Sequence, residues 1–209
     1  MIDTPRRLAL RSLILVAALA VTACGASATA TPAATPAPTT AAAATAPGSA
    51  GPATPRPPAA LAQAWASAEL TDVATGEVFS IAGLAAAGKT IILETMAVWC
   101  TNCLGQQQRI EEALGRVDRS TVAYVVLTVD PSEDASRLAA YRAQHAFDGL
   151  YAVAGRDLSR ALAADFGDQV LNPPSTPVVL ISPSGRVTLT PFGGKSVDQI
   201  VSLVEDHRA

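Results

Sequence analysis

Apolar and polar positions divide the chain at about residue 60, with the recurring apolar patterns of a packed domain lying beyond it. Residues 68–72 and 77–80 read as two short strands joined through Ala74, Thr75 and Gly76 as a small hairpin. Residues 81–87 form a brief helical or turn segment closed by Gly88 and Lys89. Residues 90–95 are mostly β-branched and apolar, the pattern of a fully buried central strand, and a helical pattern follows over about 101–116. A second buried strand is predicted over 122–129. Asp130, Pro131 and Glu133 then have the spacing of a helix start, with Asp as N-cap, Pro at the first helical position and Glu at the third. That helix is expected to run to about His145.

Beyond it, residues 150–153 suggest a short strand, and Asp157 is expected to cap a helix ending near Phe166. Residues 172–177 are a Pro-rich turn feeding an apolar strand over 178–182, which turns through Pro183-Ser184-Gly185 into a strand over 186–190. Val197, Ile200, Val201 and Val204 recur at helical spacing, giving a final amphipathic helix over 196–208. The order is a β-hairpin, βαβα, a further short element, then ββα. It predicts an α/β fold, a three-layer sandwich around a central mixed sheet, parallel at its start and antiparallel at its end.

The first 60 residues follow another logic. Arg6, Arg7 and Arg11 precede a short apolar run over 13–21, the arrangement of an export signal and too short for a comfortable membrane span. Val21-Thr22-Ala23-Cys24 resembles the bacterial lipobox, so residues 1–23 are expected to be removed and Cys24 lipidated. The plainer alternative is an ordinary cleaved signal with an incidental cysteine. Residues 25–60 contain only Ala, Thr, Pro, Gly and Ser apart from Arg56. Such a segment has too little to bury to offset the entropy of ordering, and is expected to be a disordered tether averaging about 30–35 Å end to end. Residues 24–60 thus form a lipidated cysteine plus linker, and residues 61–209 the folded domain.

Charge removes one class of function. From Leu61 onward there are 11 basic and 17 acidic side chains. An acidic domain of this kind offers no electrostatic footprint for nucleic acid.

Of three cysteines, Cys24 stands alone and Cys100 and Cys103 form a C-x-x-C pair where the buried strand gives way to a helix. Unpaired N–H groups and the dipole at a helix N-terminus stabilise an anion, so Cys100 should ionise more readily than a free thiol and act as the exposed nucleophile. Cys103, one turn on and more buried, is placed to resolve a mixed disulfide held on Cys100. A purely structural disulfide is the alternative, but a loop this short would contribute little stability through chain entropy. No bound cofactor and no metal are expected. Glu94, on the central strand, would be costly to bury ionised; its pKa should rise, and it could accept the Cys103 proton. The alternative is a surface-facing Glu near the strand end. Trp99 would shield one side of the sulfurs or serve as a core aromatic. His145 and His207 fall at predicted helix ends, where histidines commonly satisfy the dipole rather than bind metal.

These features resemble the thioredoxin fold and, within it, the membrane-tethered, extracytoplasmic TlpA/ResA-like thiol–disulfide oxidoreductases. The resemblance covers roughly residues 65–209. It rests on Trp99-Cys100-Thr101-Asn102-Cys103 as the W-C-x-x-C site, and on Glu94 where thioredoxins place a buried acid under the second cysteine. It also rests on Thr176-Pro177 just before a strand, and on the hairpin lead-in. It implies that Pro177 is cis and presents Thr176 backbone groups to an incoming peptide; an ordinary trans turn is the alternative. The dipeptide Thr101-Asn102 is neither the Gly-Pro of thioredoxin nor a His-bearing oxidant pair, so the direction of electron flow does not carry over.

The expected activity is therefore disulfide exchange with exported proteins by a lipid-anchored, extracytoplasmic, monomeric enzyme recharged by a membrane redox partner. The competing reading is a copper-binding metallochaperone on the same scaffold, since soft thiolates select Cu(I). The copper-carrying relatives, however, use C-x-x-x-C with a distal His, and neither feature is clear here.

Overall fold

The computed structural model describes residues 61–208. The expected signal segment, Cys24 with its lipobox, and the Ala/Thr/Pro linker all lie outside the described residues. Seven strands and five helices follow in chain order. They are β1 (Leu70–Thr71), β2 (Val78–Phe79), α1 (Ile81–Ala86), β3 (Thr90–Met96), α2 (Thr101–Leu114) and β4 (Val122–Thr128). After these come α3 (Ala135–His145), β5 (Leu150–Val153), α4 (Arg156–Phe166), β6 (Val178–Ile181), β7 (Val187–Leu189) and α5 (Val197–Asp206).

Strands β5-β4-β3-β6-β7 form one mixed sheet. The first three are parallel, β6 runs antiparallel to β3, and β7 antiparallel to β6. Every residue of β3 is buried, as a central strand covered on both faces requires. Side chains alternate across it. Ile92 and Met96 pack with Ile110 of α2, Leu138 of α3 and Ile200 of α5, whereas Ile91 and Leu93 pack with Ile81 of α1 and Leu158 and Leu162 of α4. Helices α2, α3 and α5 thus cover one face of the sheet and α1 and α4 the other, the three-layer sandwich read from the sequence.

The short β1–β2 pair is antiparallel, as expected. Val73 donates its N–H to the Tyr151 carbonyl at 2.8 Å, and Tyr151 donates to the buried Asp72 carboxylate at 3.0 Å. The hairpin extension therefore ties onto β5, an edge that would otherwise be open. Gly88, at φ 79°, ends α1 and turns the chain into β3. Ser196 and Gln199 close a complete capping box at the start of α5.

Two helix starts differ from expectation. The segment 130–133 is a turn, and α3 begins at Ala135 with Asp134 as its cap, accepting from the Arg137 N–H at 2.8 Å. Asp130 instead folds onto Ser132, accepting from its N–H at 2.8 Å and its hydroxyl at 2.6 Å. Glu133, rather than reaching back to the Asp130 backbone, turns inward. A side-chain-closed turn and a capping box share the same local sequence signature, and the pull of a buried donor near the cysteines selects the turn. Similarly, α4 is preceded by Gly155, and Asp157 sits inside the first turn, where its charge meets the helix dipole without capping it.

Candidate active site

The parallel register of β3 on β4 runs to Met96–Thr128, and the chain then leaves the sheet edge through Ala97, Val98 and Trp99 to the start of α2. Cys100 is the N-cap residue of α2, in extended conformation, and its Sγ accepts from the Cys103 N–H at 3.1 Å. A helix N-terminus with an N–H aimed at the first sulfur is suited to a thiolate there. Cys100 and Cys103 are joined as a disulfide, with their Cα atoms 5.3 Å apart. Cys100 is the more accessible, but narrowly: 3% exposed against 0% for Cys103. The Cys103 Sγ lies 3.2 Å from the Pro173 carbonyl oxygen. In the disulfide this is a close contact; in the dithiol the Cys103 S–H can donate to that carbonyl, which favours its neutral form and leaves the anion to Cys100.

Trp99 is 54% exposed and stands at the surface beside Cys100, so it is no core aromatic. Its indole N–H donates to Asp130 at 2.6 Å. One residue earlier, the Val98 N–H is held by the Glu133 carboxylate at 2.9 and 3.1 Å, and the Thr128 hydroxyl donates to the same carboxylate. The turn after β4 is therefore the clamp on the loop that carries the cysteines. The sequence reading missed this role of Asp130 and Glu133, having spent both on helix capping.

Glu94 is fully buried, on the face of β3 that also carries Ile92 and Met96 and that packs against the α2 layer holding both sulfurs. Its Oε2 accepts from the Tyr124 hydroxyl at 2.6 Å. Burial raises its pKa from 4.5 to about 8, against the lowering influences of Tyr124, Lys195, Arg109 and Gln107. The expected rise is present, and at neutral pH the carboxyl holds a proton. No hydrogen bond joins Glu94 to either sulfur among the described residues.

The turn across from the cysteines departs from expectation. The Thr176–Pro177 peptide bond is trans; no cis bond occurs among the described residues. The chain reverses instead through a helical turn over Pro173–Ser175 and a left-handed Thr176 at φ 45°, ψ 61°. Three contacts hold that conformation: Thr176 N–H to the Pro173 carbonyl at 2.8 Å, Gly193 N–H to the Ser175 carbonyl at 2.8 Å, and Lys195 Nζ to the Thr176 carbonyl at 2.7 Å. Thr176 is 2% exposed with both backbone groups engaged inside the chain, so its backbone is not displayed as the sequence reading expected. Asn102 bridges the two sides, donating from Nδ2 to the Pro174 carbonyl at 3.1 Å.

Lys195, Arg109, Gln106 and Gln107 complete the surroundings, and none was singled out from the sequence. Lys195 is buried, which lowers its pKa from 10.5 to about 8. Its N–H donates to Gln106 Oε1 at 2.7 Å, and Arg109 Nε donates to its carbonyl at 2.7 Å. Gln107 Oε1 accepts from the hydroxyls of Tyr141 and Tyr151 at 3.2 and 3.0 Å. A signal for the two glutamines existed: they fall on the helical stripe of Cys103, Ile110, Ala113 and Leu114, where a polar residue must have a buried partner. His145 ends α3, stacked on Phe147, and His207 ends α5, where its ring bonds the Leu203 carbonyl and the Thr188 hydroxyl. Among the described residues no group of three His, Cys, Asp or Glu side chains could hold a metal.

A five-stranded mixed sheet between two helical layers, with a C-x-x-C pair opening the helix after its central strand, is the thioredoxin fold. Solved structures agree. A thiol:disulfide interchange protein of the thioredoxin family from Chlorobium tepidum superposes with a TM-score of 0.58 at 21% identity, covering 75% of this chain and 100% of that one. A secreted disulfide oxidoreductase of Mycobacterium tuberculosis, described as homologous to Escherichia coli DsbE, gives a TM-score of 0.53 at 16% identity, covering 68% and 97%. DsbF of the same bacterium, solved in mixed oxidised and reduced forms, gives 0.51 at 17% identity, covering 68% and 96%. No family model and no curated protein sequence matches the chain.

Proposed function

We propose that this protein is a thiol–disulfide oxidoreductase that exchanges disulfides with exported proteins through Cys100 and Cys103. The observation that carries the reading is the Cys100–Cys103 disulfide at the N-terminus of α2, with the Cys103 N–H on the Cys100 sulfur. Exchange proceeds through two displacements. As an oxidant, the pair is attacked by a client thiolate at the Cys100 sulfur. The Cys100–Cys103 bond breaks, a mixed disulfide forms, and Cys103 leaves as a thiolate that takes up a proton. A second client thiolate then attacks the client sulfur of the mixed disulfide and releases Cys100, so two electrons pass from client to enzyme. Run backward, Cys100 thiolate opens a client disulfide and Cys103 resolves it, giving up its proton. Glu94, buried in the same layer and protonated at neutral pH, is the group we assign to supply the proton that the leaving Cys103 takes up; run backward, it accepts the Cys103 proton in its ionised form, the minor one below its pKa of about 8. Trp99 flanks the accessible sulfur, and Thr176 and Pro177 form the opposite wall.

The lipobox at Cys24 and the Ala/Thr/Pro linker support an extracytoplasmic protein held to the bacterial membrane by a lipid, with the catalytic domain free to reach clients and a membrane redox partner. The fold neighbour from M. tuberculosis is itself described as secreted. Cys100→Ser is expected to abolish reduction of a peptide disulfide by the protein while leaving its fold intact; full activity in that variant would refute the assignment. The reduction potential of the pair sets the direction. A value near about −270 mV would make it a reductant fed from the membrane, and one near about −120 mV a disulfide donor. Absence of any reversible couple would overturn the reading, and Cu(I) titration of the reduced domain would then test the copper-binding alternative.

A further inference from the structure

A groove of about 350 Å³ opens beside the disulfide. One side is the first turns of α2, at Thr101, Asn102 and Gly105, and the other is the Gly193–Gly194 loop. Thr176, whose Oγ1 has no hydrogen-bond partner among the described residues, stands at its end. The Arg109 guanidinium forms the floor between two glycines. A methyl group on Gly194 would lie 2.9 Å from its Nη2, and one on Gly105 would lie 3.5 Å from its Nη1. The absence of a side chain at Gly194 is what lets the guanidinium sit there, whereas a methyl on Gly105 would make only an ordinary contact.

Arg109 spends Nε on the Lys195 carbonyl and makes one long contact, 3.4 Å, from Nη2 to Gln106. It joins none of the ion pairs of the described residues, which involve Arg116, Arg119, Arg160 and Arg208. Glu94, on whose carboxyl Arg109 acts, is buried and protonated at neutral pH, so the Arg109 guanidinium stands at the groove with no ionised carboxylate bonded to it. A planar guanidinium with free N–H groups is built for bidentate contact with a carboxylate. In a domain whose overall charge is negative, this is a local exception.

Building on the exchange reaction proposed above, we infer that Arg109 makes the groove a specificity site for a carboxylate: clients carrying Asp or Glu close to the reacting cysteine are favoured. The carboxylate lies over the guanidinium between Gly105 and Gly194 while the client sulfur is bonded to Cys100. Arg109 is a specificity-determining residue and takes no part in electron transfer.

The test uses synthetic peptides with one cysteine linked by disulfide to mercaptoethanol and flanked by Glu, Gln or Lys. Stopped-flow measurement gives the second-order rate constant with the reduced protein. The Glu peptide is expected to react about three- to tenfold faster than the Gln peptide, with Lys slowest, and the ratio should shrink as salt is raised. Arg109→Gln should bring the ratio to about one, and Arg109→Lys should keep part of it. Gly194→Ala, which displaces the guanidinium without removing it, should erode the ratio as well. Equal rates for the three peptides, or a preference that survives Arg109→Gln, would overturn the inference while leaving the exchange activity standing. Failure of every peptide to exchange would overturn that activity and the inference with it.

Discussion

Glu94 gives the folded domain a pH dependence opposite in sense to that of a salt-bridged carboxylate. Its pKa is 4.5 in a free chain and about 8 in the fold, raised by burial. Between those values the folded chain holds a proton that the unfolded chain releases. The stability associated with the neutral carboxyl is complete below about pH 4.5 and is lost as pH rises through about 8. One pH unit is worth about 1.4 kcal/mol in that window, so moving from pH 5 to 7.5 should cost the domain about 3 kcal/mol. Lys195, lowered from 10.5 to about 8, acts in the other direction but only above about pH 8, where stability recovers as the unfolded lysine binds the extra proton. Glu94→Gln keeps the volume and an acceptor oxygen for the Tyr124 hydroxyl while removing the titration. Urea unfolding of the oxidised wild type and variant at several pH values from 5 to 7.5 isolates the effect, because in the wild type Lys195 titrates above that range, at about 8, and the buried tyrosines higher still. The stability of the variant relative to wild type should grow by about 3 kcal/mol across the series, a relative midpoint shift of about 1 M or more at ordinary urea slopes. Parallel pH profiles for the two proteins would refute the argument that Glu94 is buried protonated, and with it the proton role assigned to that carboxyl.

Two further outcomes test the scaffold around the site. Glu133→Ala should leave the Val98 N–H and the Thr128 hydroxyl without their acceptor and lower stability by about 1–3 kcal/mol, with Glu133→Gln less harmful because it retains an oxygen; urea midpoints at pH 7 measure both. Ser196→Ala should break the capping box of α5 at a cost of about 1 kcal/mol, read as a fall in thermal midpoint.

The parts of the site legible in the sequence are those governed by neighbours along the chain. The β-branched, apolar start of β3 marked a strand covered on both faces, and burial was the favoured of two placements for the carboxyl that follows, which is why Glu94 and its raised pKa were readable. The step from that strand to a helical pattern placed Cys100 and Cys103 at a helix start. The parts that were not legible depend on contacts far apart in sequence. Asp130 and Glu133 carry a spacing that serves equally for a helix cap or a side-chain-closed turn. What decides between them is the Val98 N–H, 35 residues away from Glu133. Lys195 looks in sequence like any solvated lysine before a helix, yet its ammonium reaches the Thr176 carbonyl and its backbone reaches Gln106, 89 residues distant.

The isomer of Pro177 belongs to the same group. A proline before a strand specifies a chain reversal, but the reversal can be made by the peptide bond or by the residues before it. Here Pro173–Ser175 and the left-handed Thr176 turn the chain, with Lys195 bonded to the carbonyl that results. That choice has a functional corollary. With the Thr176 N–H and carbonyl engaged internally, the wall opposite the cysteines offers a client little backbone to pair with. Under the proposed activity, recognition would then be left to side chains lining the adjacent groove, and among these Arg109 carries the charge. The long-range contacts that hid Lys195 and Arg109 from the sequence are thus the ones that, on the exchange reaction proposed above, would move client selection from the Thr176 backbone to side chains of the groove.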